Sequence, residues 1–252
     1  MNDPHVVALL FRVDHADSSD YDNAPPLEHD KPDFSIRIEK GQARVLMKAH
    51  HATVESARAV VDPFLRAWEL SAALFDPNDN FEFVFQHPEI IDRRPNPGLS
   101  SAVGVAMAGK MTVSIQSHTK HGKYPDAPVN LAHNADVESI LHAYRTCCAG
   151  LRNLSDASYF GLTVLERAAG GRNDAAKMFG IDPAILNMIG KLTAQKGGKE
   201  ARKSSGTHAE FTLAERTWLQ AALKILVRRV AEVAHDSSAN RNRISMSDLP
   251  PI

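Results

Sequence analysis

The chain has 252 residues, 43% of them hydrophobic and 23% charged, and its formal net charge is −1. This composition is ordinary for a globular protein, so it argues against disorder over most of the chain and excludes a uniformly basic nucleic-acid coat. A chain of this length buries a sizeable core, in one large domain or two small ones, without disulfides or structural metals.

The cysteines and the apolar runs indicate where the protein resides. Cys147 and Cys148 are adjacent, a spacing that rarely forms a bridge and matches no metal-binding pattern. The apolar run over 6–11 is short and follows no basic stretch, so it is not a signal peptide. No run approaches the roughly 18 apolar residues of a membrane span. We therefore expect a reduced, cytoplasmic protein with no membrane partner.

Short strands and one long helix are predicted for the first half of the chain. In chain order, the pattern predicts an apolar strand at 6–13, a hairpin of 34–38 and 43–47, a helix at 53–74, an alternating strand at 81–85, a hairpin of 103–107 and 111–116, and a polar linker at 117–133. Gly41 supplies the positive φ that the first hairpin turn needs. Pro63 predicts either a kink or a new helix capped by Asp62.

The segment 14–33 is strongly acidic. It carries seven acidic residues and one basic residue, a net charge of −6, and contains two prolines. This composition predicts an exposed loop. The acidic residues do not follow the alternating spacing of a calcium-binding loop, so calcium is not expected there.

Helices are predicted for the second half from their 3.6-residue apolar period. They are a helix at 137–151 with Cys148 and Leu151 on its buried stripe, one at 155–168 ended by Gly170 and Gly171, a short one at 174–179 stopped by Gly180, one begun by Asp182 and Pro183, and a long one opened by the capping box of Thr212 and Glu215. The buried stripe of the last helix consists of Leu219, Leu223, Leu226, Val230 and Val233.

These elements together define an α+β fold in two regions. We expect an N-terminal mixed strand and helix domain over 1–133, an all-α helical bundle over 134–236, and a polar tail over 237–252. Because the tail is polar and ends in two prolines and an isoleucine, it is expected to fray or to dock loosely.

Two patterns in the first half resemble ligand sites but lack essential residues. The stretch 104–111 has the spacing of a phosphate-binding loop, yet Met111 stands where a magnesium-binding hydroxyl is required, so a glycine turn is favoured. His118 and His121 have the gap of metal ligands without an evident third and fourth ligand. We therefore expect neither a cofactor nor a metal.

A third pattern, over 174–189, has the spacing of a helix-turn-helix. Ala176 permits close packing, Gly180 makes the turn, and Ile181, Leu186 and Ile189 seat the second helix. An ordinary helical hairpin is the simpler interpretation, because Ala184, Asn187 and Met188 offer few groups that read bases. DNA binding through 174–189 is kept as an alternative.

The segment 191–203 is basic, with a net charge of +4. Its basic residues are Lys191, Lys196, Lys199, Arg202 and Lys203, and they are predicted to bind nucleic acid, RNA in particular. The net charge of −1 therefore conceals an acidic patch and a basic one.

Arg202 and His208 lie six positions apart, directly before the long final helix. In this respect the region 136–235 resembles the HEPN family of helical RNA-binding and RNA-cleaving domains. The resemblance implies a four- or five-helix bundle that usually pairs with a second copy. It also implies that Arg202 neutralises a phosphate and His208 acts as general acid or base in a metal-independent cleavage. A bundle that binds without cutting is the favoured form.

A non-enzymatic interaction module is the rival hypothesis. In it, the acidic segment 14–33 and the basic segment 191–203 are complementary docking surfaces, in a homodimer or with a partner protein.

Overall fold

The computed structural model describes residues 3–16, 19–21, 23–94, 119–120, 122–196 and 209–252. Contacts divide the chain into two compact units. The sheet unit comprises residues 1–65 and 79–127, and the helical unit comprises residues 66–78 and 128–252. An antiparallel sheet followed by helices confirms the predicted α+β class.

Seven strands lie within the described ranges of the sheet unit. They are β1 (Pro4–Asp14), β2 (Ser19–Asp20), β3 (Leu27–Asp30), β4 (Phe34–Glu39), β5 (Gln42–Met47), β6 (Glu82–Asp92) and β7 (Thr119–Lys120). Five of them form an antiparallel sheet in the order β3-β4-β5-β1-β6, while β2 pairs in parallel with β7. The strands predicted at 6–13 and 81–85 are thus confirmed, and both extend further than the pattern indicated.

The predicted hairpin of β4 and β5 is also confirmed. Phe34 pairs with Met47, and Glu39 pairs with Gln42. The two turn residues, Lys40 (φ 50°) and Gly41 (φ 69°), are both left-handed, which suits the right-handed twist of the flanking strands. Alternate residues of both strands are buried, so the hairpin contributes one face to the core.

The acidic segment 14–33 is not simply an exposed loop, and that prediction is wrong in part. The segment contains β2 and β3, and the Tyr21 side chain is only 2% exposed. Tyr21 donates a hydrogen bond to the Asp79 carboxylate and stacks on Tyr124. An aromatic anchor therefore fixes the segment to the sheet unit although most of its neighbours are charged.

A single helix, α1 (Val54–Phe75), continues through Pro63. The alternative of a new helix capped by Asp62 is therefore wrong, and Asp62 instead pairs with Arg58 at 2.7 Å. Residues 54–65 belong to the sheet unit, and residues 66–75 belong to the helical unit. The division thus differs from a single boundary near residue 134, because 66–78 and 128–133 also join the helical unit.

Within the described residues of the helical unit, five α-helices follow α1. They are α2 (Ala135–Cys148), α3 (Leu154–Ala169), α4 (Arg172–Met178), α5 (Pro183–Gln195) and α6 (Leu213–His235). Their ends agree with the predicted signals: Gly170 ends α3 with a φ of 83°, Asp182 caps α5, and Thr212 and Glu215 form the capping box of α6. The predicted stripe of α6 is buried throughout.

The helical unit has one continuous apolar core, to which α1 contributes Leu70, Ala73 and Leu74. Two predictions for α2 are wrong. Leu151 is 82% exposed because α2 ends before it, and Cys148 is exposed while Cys147 packs against the core. Burial raises the pKa of the Cys147 thiol to about 11, so this thiol is protonated at neutral pH and is not an activated nucleophile.

The tail over 237–252 is docked, so the prediction that it frays or docks loosely is wrong. Leu249 is 7% exposed and joins the core of the helical unit. A short 3₁₀ turn, Met246–Asp248, precedes it. The tail also satisfies the C-terminal end of α6, where the Arg241 guanidinium donates to the Glu232 carbonyl at 2.8 Å and to the Asp236 carbonyl.

Candidate nucleic-acid interface

The helices α4 and α5 form a helical hairpin over the window 174–189, with burial at the positions that helix-turn-helix spacing requires. Ala176, Ile181, Leu186 and Ile189 are each at most 5% exposed. Gly180 has a φ of 60°, a left-handed conformation that favours glycine at this turn. Both helices also pack against α3, so the motif is supported from beneath by a third helix.

The opposite side of α5 forms a continuous exposed row. Ala184, Asn187, Lys191 and Gln195 follow one another at helical spacing, and all four are exposed. Lys191 has no carboxylate partner among the described residues. The row ends on Lys191 and Gln195, which lie beyond the 174–189 window, so the face of α5 is more polar than that window alone indicates.

Arg172, the first residue of α4, lies beside this row and contacts Asn187. Its guanidinium donates to the Asn187 side-chain oxygen at 3.3 Å and to Glu166 at 2.6 Å. It also lies against Gly190, where a Cβ atom would stand 3.0 Å from Arg172 Nη1. The absence of a side chain at Gly190 therefore leaves room for the guanidinium beside the face of α5.

The structure describes only the first part of the predicted basic segment, residues 191–196. Lys191 is exposed on α5, whereas Lys196 Nζ pairs with Glu215 Oε1 at 2.5 Å. This pair ties the C-terminal end of α5 to the first turn of α6 and lowers the pKa of Glu215, chiefly through the hydrogen bond from Lys196. Lys199, Arg202, Lys203 and His208 lie outside the described residues, as do 103–116, His118 and His121.

The docked tail lies against the turn between α4 and α5. The Asp182 backbone N–H donates to the Ile244 carbonyl at 2.8 Å, and the Ile244 N–H donates to the Gly180 carbonyl at 2.8 Å. Arg243, next to Ile244, places its guanidinium 3.4 Å from the Asp182 carboxylate. The tail thus brings a basic side chain to the N-terminal end of α5, which no local pattern indicated.

The acidic segment shows a different arrangement. Asp14 pairs with Arg12, Glu28 pairs with Arg37 at 2.8 Å, and Asp30 pairs with Lys48 at 2.6 Å. Within the described ranges, no three His, Cys, Asp or Glu side chains are grouped as metal ligands would be.

Comparison of the chain with protein-family models, with curated proteins and with solved structures finds no match. None of the helices in the described ranges has both the length and the apolar character needed to cross a bilayer. The candidate site therefore rests on its own geometry.

Proposed function

We propose that the helical unit binds double-stranded DNA, with α5 as the helix that enters the major groove. The observation that carries the proposal is the exposed row of Asn187, Lys191 and Gln195 on a second helix whose opposite side is buried. In helix-turn-helix proteins the second helix lies in the major groove while the first crosses the backbone.

The residue types of this row suit that role. Asn and Gln side chains can make paired hydrogen bonds to the N6 and N7 edge of adenine, and a Lys ammonium binds phosphate or guanine. Arg172 begins α4, but its guanidinium already pairs with Glu166 at 2.6 Å. The row therefore combines base-reading groups with a cation that Lys191 supplies.

RNA binding through 191–208, with cleavage by Arg202 and His208 in the HEPN manner, stays a prediction, because 197–208 lies outside the described residues. Lys196 supports it less than the sequence suggested, since its ammonium already pairs with Glu215. The homodimer or partner-protein module also stays a prediction. Three of its acidic residues are compensated by neighbouring bases.

Duplex type separates the DNA and RNA hypotheses. The major groove of an RNA duplex is too narrow to admit a helix, so α5 should distinguish DNA from RNA duplexes. Fluorescence anisotropy with a labelled DNA duplex of arbitrary sequence, and with the RNA duplex and single strands of the same sequence, measures this at about 50 mM salt, where non-specific contacts are strong.

We expect the DNA duplex to bind with an affinity that falls steeply with salt. Lys191→Gln should weaken it and reduce the slope of log affinity against log salt by about 1. Arg37→Gln, a matched loss of one positive charge on the sheet unit, should leave it unchanged. Preference for RNA over the DNA duplex would replace this proposal with the RNA hypothesis, and RNA cleavage that Arg202→Ala and His208→Ala abolish would support its catalytic form. Absence of binding to any nucleic acid at about 50 mM salt would overturn both.

A further inference from the structure

Two arginines of the tail, Arg241 and Arg243, lie next to the turn between α4 and α5 and differ in how many of their N–H groups are hydrogen-bonded. Arg241 donates to the carbonyls of Glu232, Asp236 and Ala239, so its guanidinium stabilises the end of α6. Arg243 contacts Asp182 alone among the described carboxylates, at 3.4 Å, and its side chain is 62% exposed. A guanidinium carries five N–H donors, so most of those on Arg243 face solvent.

Asp182 fixes the position of Arg243 relative to α5. Its carboxylate accepts a hydrogen bond from the Ala184 backbone N–H at 2.9 Å and thereby caps α5. The same carboxylate attracts the Arg243 guanidinium. Because the backbone bonds of Ile244 hold the adjacent tail residue against the turn, Arg243 is held at the N-terminal end of α5 from two sides.

A surface cavity of about 540 Å³ lies between the tail and the turn that joins α4 to α5. Its polar lining includes Asn173, Lys177, Arg241 and Arg243, beside Pro183 at the start of α5. The side chain of Lys177 is 81% exposed, and that of Asp174, which it approaches at 3.6 Å, is 64% exposed. Lys177 and Arg243 therefore line one cavity, and each keeps only a single long contact with a described carboxylate, Asp174 and Asp182 respectively.

We propose that this cavity binds a phosphate of the DNA backbone, with Lys177 and Arg243 as its two cationic ligands. The tail is then a second DNA-contacting element that positions the duplex against α5. This inference rests on the proposed function, since it requires α5 to lie in the groove beside that phosphate. A phosphodiester matches the donors because it presents two anionic oxygens to a fork of N–H groups.

The test measures the affinity of the full chain for the same DNA duplex as salt is varied. Arg243→Gln and Lys177→Gln should each weaken binding about 3- to 10-fold at about 50 mM salt, and the double variant should reduce the salt slope by about 1. Arg243→Lys should restore most of the slope, which a purely structural role for the guanidinium would not do. Arg228→Gln, which removes an equally exposed guanidinium paired with Glu232 on α6, should bind as the unaltered chain does.

If Arg243→Gln and Lys177→Gln bind with the affinity and slope of the unaltered chain while Lys191→Gln weakens binding, the phosphate site is overturned and the proposed function stands. If the unaltered chain fails to bind the duplex, both are overturned. Urea unfolding of each variant verifies that the helical unit remains folded.

Discussion

The outer face of the sheet and the outer face of α5 are both polar, but their charges are used differently. On the sheet, Arg37 contacts Glu28 and Glu39, and Arg44 contacts Glu89 at 2.5 Å. On α5, Lys191 is exposed without a carboxylate partner among the described residues. A basic residue already paired with a carboxylate therefore offers less free charge to an anionic partner than Lys191 does.

The first prediction contrasts the two sides of α5. Leu186→Ala should lower the free energy of unfolding by about 2–5 kcal/mol, because it leaves a cavity in the core. Asn187→Ala, one residue further along the helix, should change it by less than about 0.5 kcal/mol. Urea unfolding followed by circular dichroism measures both. Similar losses for the two variants would show that the exposed row is not a free surface.

The turn between α4 and α5 offers the next test. Gly180→Ala should cost about 1–2 kcal/mol of stability, since φ at this position is 60° and a Cβ atom is strained there. Gly180→Asn should cost less, because asparagine tolerates the left-handed conformation better than alanine. Thermal unfolding compares them. Equal losses would indicate that the conformation of the turn is not the cause.

The capping box of α6 should have a smaller effect. Thr212→Ala removes the oxygen that accepts from the Glu215 N–H, so the stability of the helical unit should fall by about 1 kcal/mol. Thr212→Ser retains that oxygen and should be close to neutral. A full loss in the serine variant would contradict the capping role.

The pair of Lys196 and Glu215 predicts a dependence on pH. The pKa of Glu215 is lowered in the folded chain, first by the hydrogen bond from Lys196, so this pair stabilises the fold above the ordinary glutamate pKa of 4.5. That stabilisation should be lost as pH falls below about 4.5 toward the lowered folded-state pKa. Lys196→Met should flatten the stability curve in this acidic range. An unchanged curve would contradict the assignment.

The smallest effect is expected on the sheet. Arg37→Gln removes a guanidinium that is about half exposed, so water and salt screen its ion pairs with Glu28 and Glu39 and little stability should be lost. Urea unfolding measures the change. A loss as large as that of Thr212→Ala would mean that the outer face of the sheet is more than a solvated surface.

The sequence predicted those parts of the fold that are encoded locally. The start of α5 was evident from Asp182 and Pro183, and its buried side from the spacing of Ile185, Leu186 and Ile189, since capping and apolar period act within a few residues. The acidic segment 14–33 was predicted to be an exposed loop, but the burial of one aromatic side chain, Tyr21, holds it against the sheet unit although its neighbours are charged. The burial of Leu249 was likewise hidden in a polar context.

The candidate site was predicted in part. The spacing over 174–189 predicted the helical hairpin of α4 and α5, but not the contact with the tail, because backbone hydrogen bonds between Ile244 and residues 180 and 182 leave no side-chain pattern. Lys196 was expected to bind nucleic acid, and its pairing with Glu215 depends on how α5 meets α6, which spacing alone does not encode.

The most direct test of the account compares Lys191→Gln with Arg37→Gln in binding to a DNA duplex as salt rises from about 50 to 200 mM. Both variants lose one positive charge, but only Lys191 belongs to the uncompensated row of α5. We expect the Lys191 variant to bind more weakly with a shallower salt slope, while the Arg37 variant matches the unaltered chain. Equal binding by both variants would contradict it.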